Sequence, residues 1–550
     1  MDISVKQISS LEKVRRGDAA PKDEIWRRTA LAGERVSYQI HLRSDTWLVL
    51  RAKVESPLSD CVRLYHVRDA QMDSPVGRDV PQEDYITLEP GLMPDILVPL
   101  ETTDFQMMSD AKGHTLWVKA DIPKDTKPGF YRIKVSFEGD NINGDPVCNF
   151  SQTLILEVLP AVVPEQQLIY TRWFYADCIA VAHNVEIFSE KHWELIDKYI
   201  AAAADVGINM ILVPIHTPPL DTAIGTTRPC VQLVDITKTG DRYSFSFEKF
   251  KRFIDICKKH GIRYYEMAHL FSQWGAKCAP NIMVTENGKK DYLFGWHVAS
   301  DSPEYTNFLG QYIAAVYEEL EAEGISQNTY FHISDEPTLS SMKKYQMAAE
   351  IIRPLIHNSK TFDAISNYAF YENGLVECPV TLISHIHDFL EHDIPNQWVY
   401  YCCGPVSVYP NSFIAMPSYR IRILGFLCYK YNIKGFLHWG FNYYNATCSR
   451  YPINPYLTTS GDTEYPSGDP FIVYPGADCV YPSIRGEVTY EAIQDMDICF
   501  ALEEKIGRDA VVQMIDEAAG GELRFDQYPR NKEFIENLRE QMVVAIKKAL

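Results

Sequence analysis

From Leu168 to Trp439 the chain carries eight short apolar runs, several of them followed by an amphipathic stretch. The apolar runs are Leu168 to Phe174, Met210 to His216, Arg263 to Leu270, Thr329 to Ser334, Thr361 to Ser366, Val380 to His387, Trp398 to Cys403 and Gly435 to Trp439. Helical patterns fall between several of them, at Ser189 to Val206, Ser246 to His260, Pro303 to Glu323, Leu339 to His357 and Tyr419 to Tyr431. Parallel strands need a crossover between them, and eight such alternations specify a (β/α)8 barrel, with short and weakly helical fifth to seventh connections.

Up to about residue 160 the pattern is different. Runs such as Arg35-Val-Ser-Tyr-Gln-Ile-His-Leu42, Trp47-Leu-Val-Leu-Arg-Ala-Lys-Val54 and Tyr131-Arg-Ile-Lys-Val-Ser-Phe137 alternate with period two, with turn residues between them. That is the signature of antiparallel strands, and it predicts a β-sandwich. Leu159-Pro-Ala-Val-Val-Pro164 reads as a stiff linker. The expected organisation is multidomain: an N-terminal antiparallel β-sandwich (1–160), a (β/α)8 barrel with a long loop after its last strand (165–490), and a helical C-terminal tail packed on the barrel (491–550).

Charge narrows the partners. Asp and Glu number 73 against 53 Lys and Arg, a net charge of −20, which repels phosphate backbones and anionic lipid headgroups. No nucleic acid or membrane partner is expected, and oligomeric state is left open. The start, Met1-Asp-Ile-Ser-Val-Lys6, lacks a signal-like apolar core, and the 13 cysteines are odd in number with no C-x-x-C. A cytoplasmic protein with free thiols is the expectation.

Reactive groups of such barrels gather at the C-terminal ends of the strands. Those ends carry Arg172 and Asp177; His216 and Asp221; His269, Gln273 and Trp274; and His438, Trp439 and Asn442. The fourth ends in His332-Ile-Ser-Asp335-Glu336-Pro337. Adjacent carboxylates suit glycosidic bond cleavage, which needs a proton donor at the leaving oxygen and a second charge near the developing cation. The competing reading is helix capping ahead of Leu339. His385 and His387, alternate on the sixth expected strand, are the candidates for a metal hydrolase. No metal or other cofactor is favoured, because no partner cluster with comparable spacing appears. Cys402-Cys403 is read as two thiols on opposite faces of a strand.

Phe331-His-Ile-Ser-Asp-Glu-Pro337, His269-Leu-Phe-Ser-Gln-Trp-Gly275, Gly435-Phe-Leu-His-Trp-Gly440 and Gly468-Asp-Pro-Phe-Ile-Val-Tyr-Pro-Gly476 together resemble glycoside hydrolase family 123, the β-N-acetylgalactosaminidases, including the C-terminal domain of formerly unknown function. The resemblance runs from about Tyr170 to about Asp497; Gly486 to Asp495 departs from it where a more arginine-rich run is expected. It implies an exo-glycosidase acting on a small oligosaccharide or glycoside by substrate assistance. Asp335 would orient the 2-acetamido group, and Glu336, with a raised pKa, would serve as acid and base. Trp274 and Trp439 are expected to wall the sugar. Arg172, His216, Asp221, Gln273, His332, His385 and Asn442 are the expected substrate contacts. The alternatives are the metal hydrolase and a noncatalytic sugar-binding protein.

Overall fold

The structure is a computed structural model that describes residues 3–76, 84–100, 104–107 and 113–550. By contact the chain forms two compact units.

The first unit holds Met1–Gln167, Val406–Lys430 and Tyr481–Leu550. Its β part is two five-stranded sheets. One runs Ile3–Ser9, Arg35–Ser44, His114–Asp121, Val62–Met72 and Gly91–Pro99 in spatial order; the other runs Arg27–Ala32, Pro146–Val162, Gly129–Asp140, Leu48–Glu55 and Asp104–Met107. The pairing is antiparallel except between Arg27–Ala32 and Pro146–Val162. Inward-facing alternate residues such as Tyr38, Ile40, Leu42, Leu116, Val118, Ile133, Val135, Leu154 and Leu156 make the core, so the period-two reading carried over to the fold. The expected linker did not. The strand runs on through Pro160 to Val162, and a register shift between Leu159 and Val162 accommodates the proline that cannot donate to the ladder.

The C-terminal helices Ile484–Ile506, Arg508–Ala519 and Lys532–Ala549 belong to this unit together with the helix Tyr419–Lys430. The division by contact therefore differs from the expected boundaries at 160, 165 and 490. Gly425 explains the grouping: a Cβ there would lie 1.8 Å from the Ala492 carbonyl oxygen, so only glycine lets the two helices approach so closely. Arg422 then reaches Asp495 (2.7 Å) and Glu491 (2.9 Å) across the same contact.

The second unit holds Leu168–Pro405 and Tyr431–Val480. Its centre is a closed, all-parallel barrel of eight strands: Ile169–Arg172, Met210–Val213, Tyr264–Met267, Thr329–Phe331, Lys360–Ala364, Cys378–Leu382, Trp398–Tyr400 and Gly435–His438. Helices Glu190–Asp205, Glu248–Lys259, Pro303–Ala322 and Met342–Ile356 match the expected ones closely. Ser189 and Ser302 cap two of them by accepting the N–H groups of His192 and Tyr305.

Two differences matter. The sixth strand ends at Leu382, not His387, and His385 is the N-cap of the short helix Ile386–Leu390. His385 and His387 are therefore not alternate residues of a strand and do not share a face. A four-stranded sheet outside the barrel, Arg242–Ser246, Asp235–Thr239, Ile282–Glu286 and Lys289–Phe294, had not been anticipated. Its Asn287-Gly288 turn, with φ of 51° and 77°, is the signal that announced it. Among the described residues no helix is long and apolar enough to cross a membrane.

Candidate active site

The ladder of the fourth strand stops at Phe331, and the chain continues in irregular conformation through His332, Ile333 and Ser334 to Asp335 and Glu336. Thr338, not Asp335, sits at the N-cap of the next turn, its N–H donating to Ser341 Oγ at 3.0 Å. Glu336 has φ of 42°, a left-handed conformation that non-glycine residues adopt at a cost. In regular strand geometry successive side chains oppose each other; this backbone leaves that geometry at Glu336.

Each carboxyl has its own surroundings. Tyr400, the last residue of the seventh strand, donates its hydroxyl to Glu336 Oε1 at 2.6 Å. Asp335 is pushed well above the usual carboxylate range, first by burial and then by the negative charges of Glu336 and Asp221. Asp221 is pushed up to about 6 by burial, with Glu336 adding to the shift, while Arg228 and a hydrogen bond from Tyr465 oppose it. The site thus brings three acidic side chains together and retains protons near neutrality. The marked shifts fall on Asp335 and Asp221.

The second and third strands contribute neutral hydrogen-bonding groups. His216 Nε2 donates to the His269 carbonyl at 2.9 Å, so Nδ1 carries a lone pair, and burial lowers the ring to about 4. His269 is held well below the ordinary histidine value, by burial and by its neighbours His332 and His216. Gln273 Oε1 accepts the Asp221 N–H at 2.9 Å. The Trp274 N–H donates to the Asp335 carbonyl at 2.8 Å, tying the loops after the third and fourth strands together. Asp221 and Trp274 share the left-handed backbone of Glu336, with φ of 45° and 59°. His216 Nδ1, both ring nitrogens of His269, Gln273 Nε2 and Trp173 Nε1 are buried without a partner within the protein. Groups of this kind match the donors and acceptors of a hydroxylated ligand.

An aromatic wall closes another side. Trp439 donates its Nε1 to Asp469 Oδ2 at 2.8 Å and packs against Tyr443 and Tyr465, with ring centroids 5.1 and 5.0 Å away. Gly440 makes this possible. A Cβ at that position would lie 2.5 Å from the carbonyl oxygens of both Asp469 and Pro470, so glycine is what admits the Gly468-Asp-Pro loop beside the eighth strand. Trp274 is half-exposed, whereas Trp439 is buried.

Several expected substrate contacts are occupied elsewhere. Asn442 accepts the Tyr175 N–H (2.9 Å) and donates to the Tyr175 carbonyl (3.0 Å), so its amide braces the segment after the first strand. Arg172 is fully buried and donates to the Tyr170 hydroxyl (2.6 Å) and the Gly440 carbonyl (3.1 Å). Both nitrogens of His332 are engaged, with Asp363 at 3.0 Å and Glu266 at 2.9 Å. His385 is exposed and contacts Ser384 Oγ at 3.2 Å. Among the described residues, the three groups close enough together to hold a cation are His269, His332 and Asp363 rather than the His385 and His387 pair. His332 already donates from both nitrogens there, which leaves it no lone pair for a metal. The sulfurs of Cys402 and Cys403 lie 3.8 Å apart, unbonded. Tyr400, Asp469, Tyr465, Glu266 and Asp363 were not singled out in the sequence, since each is a common residue type in an apolar or aromatic run.

A barrel that presents neighbouring carboxyls beside an aromatic wall and unspent hydrogen-bonding groups has the architecture of a glycoside hydrolase. Residues 173–502 match the family model described as "Glycoside hydrolase 123, catalytic domain", and the chain belongs to that family. A family 123 glycoside hydrolase from Clostridium perfringens, described in terms of glycolipid glycan hydrolysis, has the same fold: TM-score 0.73, 16% identity, covering 100% of this chain and 98% of that one. EndoBT-3987 of Bacteroides thetaiotamicron with Man5GlcNAc product gives TM-score 0.20 and 7% identity over 70% of this chain and 88% of that one. No curated protein matches the sequence.

Proposed function

We propose that this glycoside hydrolase is a retaining exo-enzyme that releases terminal β-linked N-acetylgalactosamine by substrate assistance. The observation that carries the reading is the adjacency of Asp335 and Glu336 in one loop, with Asp335 half-buried and Glu336 held by Tyr400. A double-displacement enzyme needs a carboxylate on each side of the anomeric carbon. Two successive residues supply groups to one side, which suits an acid working next to a group that addresses the neighbouring 2-acetamido substituent.

In this mechanism Glu336 gives its proton to the leaving oxygen as the acetamido oxygen attacks C1. Asp335 accepts the amide N–H and stabilises the positive charge of the oxazolinium. Glu336 then takes a proton from the water that opens the ring, and two inversions give net retention. Trp439, with Tyr443 and Tyr465 behind it, offers an apolar face to the pyranose ring. His216, His269, Gln273 and Trp173 offer hydrogen bonds to its hydroxyls. The substrate is a short oligosaccharide or a glycoside, and the glycolipid glycans associated with the Clostridium perfringens enzyme are of that chemical class.

The test is turnover of 4-nitrophenyl N-acetyl-β-D-galactosaminide beside its gluco epimer and the 2-hydroxy galactoside, with the product anomer read by proton NMR at early times. Hydrolysis of the galacto acetamide with β product first is expected. Turnover of the 2-hydroxy galactoside at a similar rate would overturn substrate assistance, and α product first would overturn retention.

A further inference from the structure

We propose that Glu266, His332 and Asp363 form a buried charge clamp beneath the reacting pair, in which His332 acts as a positioning residue that fixes the Asp335 loop and supplies the positive charge facing it. The proposal rests on the reading of Asp335 as the group that must be ionised during turnover.

The three residues come from three neighbouring strands of the barrel. Glu266 lies in the third strand, His332 directly follows the fourth, and Asp363 lies in the fifth. His332 Nδ1 donates to Asp363 Oδ1 at 3.0 Å, and Nε2 donates to Glu266 Oε2 at 2.9 Å. Burial raises Asp363, while its bonds from His332, Tyr345 and Ser334 favour the ionised form; with both carboxyls ionised neither oxygen can donate, so the ring that bridges them carries both protons and a full charge. The remaining oxygens are also taken. Asp363 Oδ2 accepts the N–H groups of Ile333 (3.1 Å) and Ser334 (3.2 Å) and the Tyr345 hydroxyl (2.5 Å), while Glu266 Oε1 accepts the Thr171 hydroxyl. Asp363 therefore grips the two backbone amides that lead into Asp335.

Every polar atom of the clamp is satisfied inside the protein, so none is left for a sugar. His269 stacks on the His332 ring at 3.8 Å and 11°, Phe362 lies 4.1 Å away, and all three charged residues are fully buried. A buried triad of charges is a poor device for stability, since apolar residues of the same volume fill the space at lower desolvation cost. Its distinctive effect is electrostatic. The groups facing His332 are Glu266 and Asp363 in hydrogen-bond contact, neutral His269 across the stack and Asp335 above, with Glu336 and Asp221 beyond. Burial works to lower His332, but the hydrogen bonds and charges of Asp363 and Glu266 outweigh it and hold the ring at about 9. Among the charges that weigh most on Asp335, His332 favours ionisation, whereas Glu336, Asp221 and Asp363 oppose it.

The experiment uses the full chain. Selective 15N-histidine NMR of the wild type is expected to show one histidine that keeps both ring protons at pH 8; the absence of any such histidine overturns the clamp, whatever the enzyme hydrolyses. His332→Gln and Asp363→Asn are then profiled for kcat and KM against pH on the nitrophenyl acetamido-galactoside, with thermal unfolding alongside. Removing the cation disfavours the ionised form of Asp335, so the acid limb for His332→Gln is expected to move up by about one pH unit. Its kcat is expected to fall at least about 10-fold with KM changed less than about 3-fold, because His332 does not touch the sugar. An unmoved acid limb in folded His332→Gln, or a loss confined to KM, overturns the positioning role. Should His332→Gln fail to fold, Asp363→Asn carries the test: it removes one of the two carboxylates that hold the second ring proton, so the doubly protonated histidine is expected to titrate at lower pH than in wild type, and an unmoved histidine titration overturns the clamp. If wild type turns over no acetamido sugar while the doubly protonated histidine is present, it is the functional reading that fails and the clamp that stands.

Discussion

The Tyr400 hydroxyl donates to Glu336 Oε1 at 2.6 Å, joining the end of the seventh strand to a carboxyl carried by the fourth. Glu336 sits in an irregular loop and is exposed, so this bond is what gives the side chain a defined direction. Tyr400→Phe keeps the ring and removes the bond. A hydrogen bond to a neutral group contributes about 0.5–1.5 kcal/mol, so kcat is expected to fall roughly 2- to 10-fold with the unfolding temperature little changed. Steady-state kinetics beside a thermal melt check it; an unaltered kcat would show that the acid needs no orientation from Tyr400.

The two carboxyls of the proposed mechanism predict different losses. Glu336→Gln removes the proton donor, so a substrate with a poor leaving group should lose about 10²- to 10⁴-fold, and an activated aryl glycoside less. Asp335→Asn weakens stabilisation of the oxazolinium, through which every substrate passes, so its loss should be similar for both. A thiazoline analogue of the intermediate should inhibit the wild type, and azide should not restore Asp335→Asn as an inverted glycosyl azide. Azide rescue without thiazoline inhibition would identify Asp335 as a covalent nucleophile.

Asp221 links the site to stability. Its carboxyl is held up at about 6 in the fold, above its ordinary value of 3.8, by burial first. Between those pH values the folded chain binds more protons than the unfolded chain, so this residue's contribution falls as pH rises through the window and stays low above it. Asp221→Asn removes the ionisation and should stabilise the protein at pH 7.5 by on the order of 1–3 kcal/mol, with little effect at pH 3.5. Melting temperatures of both proteins at the two pH values decide it. Equal shifts at both would mean that the charge is not the cause.

Gly440 predicts a loss of both fold and function. Alanine there places a Cβ 2.5 Å from two backbone oxygens of the loop that carries Asp469. Overpacking of this kind costs about 1–3 kcal/mol, and relief by moving the loop would break the Asp469 bond to Trp439. Gly440→Ala should melt earlier and lose sugar affinity together. A variant with normal affinity and normal stability would show that the loop can shift without consequence.

The eight strands were legible because each is a continuous apolar run, but their C-terminal ends were not. Seven of the expected strands run past the last ladder residue by two to five positions, as with His216 after Val213, Leu270 after Met267 and His387 after Leu382, and the other by one. Pairing stops there while burial continues, because His216, Leu270 and Ser334 line the barrel mouth, and sequence periodicity reads burial and not pairing. Asp335 and Glu336 stood out because adjacent acids after an apolar run are rare in type and place. Glu266 and Asp363 did not, since a single acid in a strand looks like an outward-facing residue until the partner histidine is seen between them. Asn442 and Arg172 illustrate the reverse: polarity at a strand end reads as ligand contact, whereas the Tyr175 backbone engages Asn442 and the Tyr170 hydroxyl and Gly440 carbonyl engage Arg172.

Asp221, Trp274 and Glu336 all carry a side chain where the backbone would rest more comfortably as glycine or asparagine. Each of the three lies in a loop that follows a barrel strand. A collection of sequences varied at these positions and sorted for heat resistance should therefore drift toward glycine, and the same collection sorted for turnover should drift back. The distance between the two outcomes measures how much conformational ease this barrel gives up at these three positions.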